Sequence, residues 1–214
     1  GNQLEGADRE RCSAVLRETA KLHAKYWNHP SLAESFWLLP MDVDVRMRHT
    51  MAVDARPAFE ALFPDVAKPL APFLDDGTAH GVTLTQSLAA GPTTLLHYDL
   101  RLDNLMFDTD GVIFIDWQLT RRGHPAYDIA YFLSSAVKDS DTAVPLLEGY
   151  HHALIENGIS DYPLDQFLDD YKTALRVVLM GLSTVDQVNV GSGRGMNMLK
   201  VWMSRLAQRL AADQ

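Results

Sequence analysis

A single cysteine, Cys12, occurs in 214 residues, so the chain can form no internal disulfide and no cysteine-ligated zinc centre. No apolar run approaches the length of a membrane span. The opening residues, GNQLEGADRE, are polar and have none of a signal peptide's apolar core. These features point to a cytoplasmic protein with no membrane partner. Basic residues are in deficit: 19 Lys and Arg stand against 28 Asp and Glu, a formal net charge of −9. That balance argues against nucleic acid as a partner. Internal repeats, low-complexity linkers and a Gly-x-Ser-x-Gly nucleophile motif are all missing. Apolar content is not scarce. Hydrophobic residues make up 47%, enough for a sizeable core and against disorder.

Periodicity predicts an amphipathic helix from about Asp8 to Trp27, with Cys12, Val15, Leu16, Thr19, Leu22, His23 and Tyr26 on one face and Pro30 ending it. From Ser31 to Pro57 the pattern is irregular and reads as a packed loop. A short helix is expected from Ala58 to Phe63 and another from Lys68 into the late eighties, weakened by Gly77 and Gly81. Thr93 to Leu96 reads as a short strand. Leu105–Phe107 and Val112–Ile115 read as a strand pair joined by the turn sequence DTDG. Helices are expected again at about Ala126–Val137, Thr142–Asn157, Leu164–Val188 and Met196–Ala212. The outline is one mainly helical α+β domain over residues 1–214, with a short central β-hairpin.

The polar residues gather where the strands end. The stretch TLLHYDLRLDNLMFDTDGVIFIDWQ, from Thr94 to Gln118, carries Asp99, Asn104 and Asp116 among apolar strand residues. A hairpin returns the chain to its starting end, so Asp116 should come back near Asn104. Two carboxylates and an amide oxygen around one point suit Mg²⁺, a hard cation that takes few protein ligands plus water and phosphate oxygens. A carboxylate free of the metal can orient a hydroxyl and accept its proton. Positioning, charge neutralisation and a base are what phosphoryl transfer requires. The plainer readings stand beside this one. Asp108 and Asp110 belong to the turn, and Asp103 reads as a solvated loop acid. The whole spacing, His-x-Asp-Leu-x-x-x-Asn followed by an apolar strand pair ending in Asp, is hard to obtain by chance.

His97-Tyr98-Asp99-Leu100-Arg101-Leu102-Asp103-Asn104 resembles the catalytic loop of the protein-kinase fold. With LLHYDLRLDNLMF and IDWQ around it, the chain is most similar to the aminoglycoside phosphotransferase and choline kinase-like enzymes. TAKLHAKYW, ending at Trp27, and YDIAYFLSSA, Tyr127 to Ala136, add a likeness to the ecdysteroid kinase-like branch. The resemblance implies that Asp99 is the catalytic base that aligns the acceptor hydroxyl, and that Asn104 and Asp116 are the magnesium ligands, with ATP as co-substrate. It puts Arg101 where protein kinases often carry a lysine near the transferred phosphate; an ordinary surface arginine is an equal reading. His97 is expected to buttress the loop. Asp128 is expected to brace the loop backbone, which is compatible with its being a favourable acid at a helix N-terminus.

Departures narrow the reading. Tyr98 stands where the small-molecule kinases usually have glycine. Asp116-Trp117-Gln118 replaces Asp-Phe-Gly, and no Ala-Pro-Glu follows, which favours a small-molecule hydroxyl over a protein acceptor. Before His97 the sequence shows helices and packed loops in place of a strand-rich nucleotide lobe, so the chain reads as the C-terminal lobe alone. As such it is expected to turn over poorly and to self-associate through a lobe-facing surface around the first helix and the hairpin. Two other functions compete: a metal-dependent phosphohydrolase, which would need more ligands, and a catalytically inactive kinase-like binding module. Elsewhere, GSGRG, Gly191 to Gly195, reads as a helix–helix turn and His151-His152 as exposed helix positions. Trp27, Trp37 and Trp202 read as core or interface residues, and Trp117 as a packing residue. The pocket over Asp99 is expected between the Ser31–Arg56 loop and the acidic segment DYPLDQFLDDY.

Overall fold

Asp8 starts the first helix, α1 (Arg9–Lys25): its carboxylate accepts the Arg11 N–H at 2.8 Å and satisfies one of the free donors of the first turn. Glu10 in that turn and His23 and Lys25 in the last complement the helix dipole. Cys12, Val15, Leu16, Thr19, Ala20 and His23 form the buried stripe. The computed structural model describes residues 1–109, 111–138, 142–184 and 193–212. After α1 come α2 (Ser31–Glu34), α3 (Val45–Leu62) and α4 (Pro64–Ala89). Four short strands follow, β1 (Thr94–Leu96), β2 (Leu105–Asp108), β3 (Gly111–Phe114) and β4 (Arg121–Gly123). The chain continues with α5 (Ala126–Ala136), α6 (Ala143–Glu156), α7 (Leu164–Leu182) and α8 (Gly193–Ala212). This is the mainly helical α+β outline that periodicity predicts.

The strands form two separate antiparallel pairs. β2 and β3 make the expected hairpin, in the register Leu105↔Phe114, Met106↔Ile113 and Phe107↔Val112. Asp108 serves the turn by accepting the Gly111 N–H at 3.0 Å; Asp110 lies outside the described residues. β4 was not anticipated. It pairs with β1, Thr94 opposite Gly123 and Leu96 opposite Arg121, and so brings the chain after Asp116 back alongside the strand that leads into His97.

The segment between Ser31 and Pro57 is a correction. It contains α2 and most of α3, and the short helix expected at Ala58 is only the end of α3. Pro57 lies inside α3. An interior proline ordinarily breaks a helix by removing a hydrogen bond and crowding the previous turn. Here the buried face Val45, Ala52, Ala55 and Phe59 continues across it, and that packing carries the helix on. α4 likewise begins at Pro64, not Lys68, with proline in its tolerated first-turn position. Gly77 and Gly81, which seemed to weaken α4, are where α7 approaches: a Cβ at Gly81 would overlap the Met180 side chain. Of GSGRG, Gly191 and Ser192 lie outside the described residues, and Gly193 to Gly195 form the first turn of α8. The end of α7 expected at Val188 also lies outside them. Trp37 is 62% exposed and not core, whereas Trp202 is buried. His151 is buried as well, its Nε2 2.7 Å from the Tyr162 carbonyl oxygen; only His152 is exposed.

α5 is the axis of the core and packs on α1, α7 and α8. Its C-terminal carbonyls, which have no partner within the helix, are taken by two buried arginines of α8. Arg209 donates to Leu133 O at 3.0 Å and Val137 O at 3.3 Å, and Arg205 donates to Ser135 O. Burial and the neighbouring Arg209 pull the Arg205 guanidinium below its usual value, and the negative end of the α5 dipole offsets part of that cost. At the other end, His124 lies just before α5, with Nε2 3.3 Å from Asp170 Oδ2 of α7, and the Tyr162 hydroxyl donates to the same oxygen at 2.8 Å. Burial works to raise the Asp170 pKa. The approach of His124 and the hydrogen bond from the Tyr162 hydroxyl outweigh it, so the carboxyl titrates below its usual value.

A carboxylate with a depressed folded pKa contributes stability above its unfolded pKa and loses that contribution as pH falls through the folded one. Urea unfolding from neutral pH downward should therefore show an extra loss of stability beginning near the unfolded value of about 3.9. Asp170→Asn should lack that increment; identical pH profiles for the two proteins would remove Asp170 from the acid-sensitive set.

Candidate active site

Strand β1 delivers His97 to a loop whose first two amides are accepted from outside it, by Asp128. From the first turn of α5, fully buried, Asp128 accepts the His97 N–H on Oδ2 at 2.7 Å and the Tyr98 N–H on Oδ1 at 2.9 Å. His23 Nε2 of α1 sits 3.4 Å from Oδ2, and its Nδ1 is 2.7 Å from the Tyr150 hydroxyl of α6. Three helices thus converge on two consecutive backbone amides.

Aiming both amides at one carboxylate accompanies a left-handed backbone at Tyr98, φ +69°. Glycine takes this region at little steric cost, while an L-residue pays roughly 1–2 kcal/mol. The Tyr98 ring offsets the strain. It stacks on Tyr127 at 4.4 Å and 13°, and the Arg48 and Arg121 guanidiniums each lie 5.8 Å from its centre. Arg48 also donates to the Tyr98 hydroxyl and to the Met41 carbonyl. Tyr98 is thereby tied into α3 and α5.

The same turn presents Asp99, 7% exposed. Its Oδ1 accepts the Tyr131 hydroxyl at 2.7 Å, its Oδ2 accepts Asn104 Nδ2 at 2.8 Å, and Arg101 Nε lies 3.2 and 3.3 Å from the two oxygens. A carboxylate offers about four lone-pair sites; Tyr131 and Asn104 take one each, and the Arg101 N–H is shared between the two oxygens. Asn104 ends the 3₁₀ turn Leu102–Asn104, is 4% exposed, and also donates to the Asp99 carbonyl at 2.9 Å. Arg101 reaches on to Asp103 at 3.5 Å. Asp103, expected to be a solvated acid, is instead bound by the Gln3 N–H at 3.0 Å and by Arg194 of α8 at 3.3 Å.

Asp116 follows β3 in a left-handed conformation, exposed, with one weak donor, Gln118 Nε2 at 3.4 Å. The Ile115 N–H donates to the Asn104 carbonyl at 3.0 Å, so the backbone does bring this strand end beside Asn104. The carboxylate of Asp116 takes no part in the Asp99 hydrogen bonds. His97 Nε2 donates to the Ile115 carbonyl at 2.9 Å, its Nδ1 has no hydrogen-bond partner, and its ring lies 4.7 Å from that of Trp117. Among the described residues no group of three or more His, Cys, Asp or Glu is placed to hold a metal ion. The acids of DYPLDQFLDDY do not meet Asp99: Asp170 is taken by His124 and Tyr162, and Asp169 lies 3.8 Å from Lys172. Sequence reasoning gave no role here to Tyr131, Tyr127, Arg48 or Arg194. Tyr131 alone had a usable signal, lying one helical turn after Asp128 on the same face.

Residues 2–165 match the phosphotransferase enzyme family. The chain belongs to that family. No curated protein sequence matches it. The match takes in the loop, the hairpin and Asp128 of this phosphotransferase; α8, which touches the loop through Arg194 and Met198, lies beyond it.

Removing the Asp128 carboxylate would leave two buried backbone donors and a buried histidine without their acceptor. Asp128→Ala should destabilise the phosphotransferase by about 2–5 kcal/mol in urea unfolding, and Asp128→Asn, which keeps one acceptor oxygen, by less. A change below about 0.5 kcal/mol, the range of ordinary surface substitutions, would show that the loop holds its shape without the brace.

Proposed function

We propose that this phosphotransferase moves the γ-phosphoryl group of ATP to the hydroxyl of a small molecule. One observation carries the reading: the Asp99 carboxylate is held by two short hydrogen bonds, from Tyr131 and Asn104, while its remaining contact, an Arg101 N–H shared between both oxygens at 3.2 and 3.3 Å, is long enough to give way to an acceptor hydroxyl. An acceptor hydroxyl donating to that position would be aligned for attack and would pass its proton to Asp99 as the bond to phosphorus forms. Catalysis of this transfer rests mainly on positioning and electrostatics. Arg101 lies against Asp99 and is partly exposed, a place from which its charge could reach the transferred group.

The residues present fit a magnesium ion. Asn104 Nδ2 is committed to Asp99, which turns the amide oxygen to the opposite edge, and the Asp116 carboxylate is nearly free. Two oxygen donors are few for an all-protein site but ordinary for Mg²⁺, which usually keeps water and substrate phosphates in its shell. When bound, the ion would neutralise charge on those phosphates. The hairpin adds support for a nucleotide. Met106 and Ile113, cross-strand partners, and Ile115 are exposed, and such an apolar face next to Asp116 suits a flat base. His97 and Asp128 serve the site as supports of the loop. The substitutions for Asp-Phe-Gly favour a small acceptor over a protein.

Two variants test the assignment. Asp99→Asn should lower Mg-ATP turnover, assayed as phosphate release and as transfer to a panel of small alcohols, by about 10²–10⁴-fold, with nucleotide affinity little changed. Turnover within a few-fold of the parent chain would reject Asp99 as the base. In calorimetry Asp116→Ala should abolish the Mg²⁺-dependent part of ATP binding, and Asn104→Ala should weaken it less, since a neutral amide gives up less charge. Equal Mg²⁺ dependence in the parent and both variants would reject the metal site.

A further inference from the structure

Three donors hold Asp99, and they are not equivalent. Arg101 Nε sits almost equally far from both oxygens, at 3.2 and 3.3 Å, so it attracts the charge without choosing a rotation of the carboxylate. Asn104 anchors Oδ2 from the loop itself. Oδ1 has only one directional partner, the hydroxyl of Tyr131, which comes from a different element, α5. We propose that Tyr131 is a positioning residue for Asp99: its hydroxyl fixes the rotation in which the carboxylate faces the acceptor, and α8 fixes Tyr131 in turn through Trp202.

The Tyr131 ring is clamped on two sides. Trp202 meets it edge-on at 4.7 Å and 87°, and Tyr127 lies 5.9 Å away at 30°. The Trp202 indole N–H is itself anchored to the Ser134 hydroxyl at 3.0 Å, one turn further along α5. Both helices thus hold the phenol, and its O–H direction is set before any substrate arrives. Burial, the charge of Asp99 and the hydrogen bond to it push the Tyr131 hydroxyl well above its ordinary pKa. It therefore stays a donor at any working pH and does not compete as a base. Small misplacements of a catalytic group can cost about 10²-fold in rate, so holding one carboxylate rotamer is a function in its own right.

This inference rests on Asp99 acting as proposed above, and the experiment separates the two. In the full chain, Mg-ATP hydrolysis with water as acceptor is measured for Tyr131→Phe alone and in the Asp99→Asn background. If Tyr131 acts through Asp99, the single change should lower kcat by about 10–100-fold with KM for ATP within about two-fold, and should add almost nothing when Asp99 is already neutralised. An equal loss in both backgrounds would mean a merely structural tyrosine and overturn the proposal. A second measurement needs no turnover: through-hydrogen-bond couplings between the labelled Asn104 side-chain nitrogen and the Asp99 carboxyl carbon should report one carboxylate rotamer in the parent chain and averaging in Tyr131→Phe. A single rotamer in the variant overturns the proposal, as does averaging with unchanged turnover. If the parent chain releases no phosphate from Mg-ATP, the proposed function fails here while the couplings still decide what Tyr131 does to Asp99.

Discussion

Two backbone N–H groups, those of His97 and Tyr98, point at one buried carboxylate. Most of what is distinctive about this site depends on that. Without Asp128 the loop after β1 would bury two donors with no acceptor, at a cost of about 1–3 kcal/mol each. With it, the backbone turns left-handed at Tyr98, setting the Tyr98 ring on Tyr127 and Asp99 against Tyr131 of the same helix. The brace is itself held by His23, whose second nitrogen meets Tyr150, so α1, α5 and α6 cannot shift independently of the loop. The strain at Tyr98 is local, and its compensation is distant: Tyr127 beneath the ring, Arg48 and Arg121 against it.

α5 serves two purposes because it is polar along its axis. Its N-terminal turn carries Asp128, where the helix dipole favours an anion, and its C-terminal carbonyls are covered by Arg205 and Arg209, where it favours cations. The same α8 that supplies those arginines supplies Trp202 against Tyr131, Met198 against Arg101 and Arg194 against Asp103. α8 is thus a strap across the loop from His97 to Asn104 as well as a core helix. That accounts for burying two guanidiniums, an arrangement worth having only where well-placed carbonyls receive them. Arg205 also binds the carbonyls of Gln3 and Leu4 at 3.0 Å each, while the Gln3 side chain accepts the Leu102 N–H at 2.9 Å, so the residues ahead of α1 are tied to the loop too.

Where sequence reasoning failed, the failures share a cause. The segment from Ser31 to Pro57 reads as a loop because its pattern is irregular; α3 forms there and runs through Pro57 because its apolar face is buried on both sides of the proline. Gly77 and Gly81 were read as weakness, and are the space into which Met180 packs. Local propensity was overruled in each case by a contact with another element. β4 escaped notice for a related reason: Arg121-Arg122-Gly123 has no strand composition, and only its pairing with β1 makes it one.

The sequence by itself determined the loop, the hairpin and the residues they carry. His97, Asp99, Asn104 and Asp116 are separated by few residues and short turns, so chain connectivity alone confines them to one neighbourhood. It also determined most of the helices, those that bury a stripe at helical spacing, but not α2 or the first turns of α3. Tertiary structure decided what holds Asp99 in place. Tyr131 lies 32 positions away, and Arg48 reaches Tyr98 across 50. No local rule relates residues so far apart; they meet because α3, α5 and α8 must bury their apolar faces together, and the polar groups at the edges of those faces then find one another.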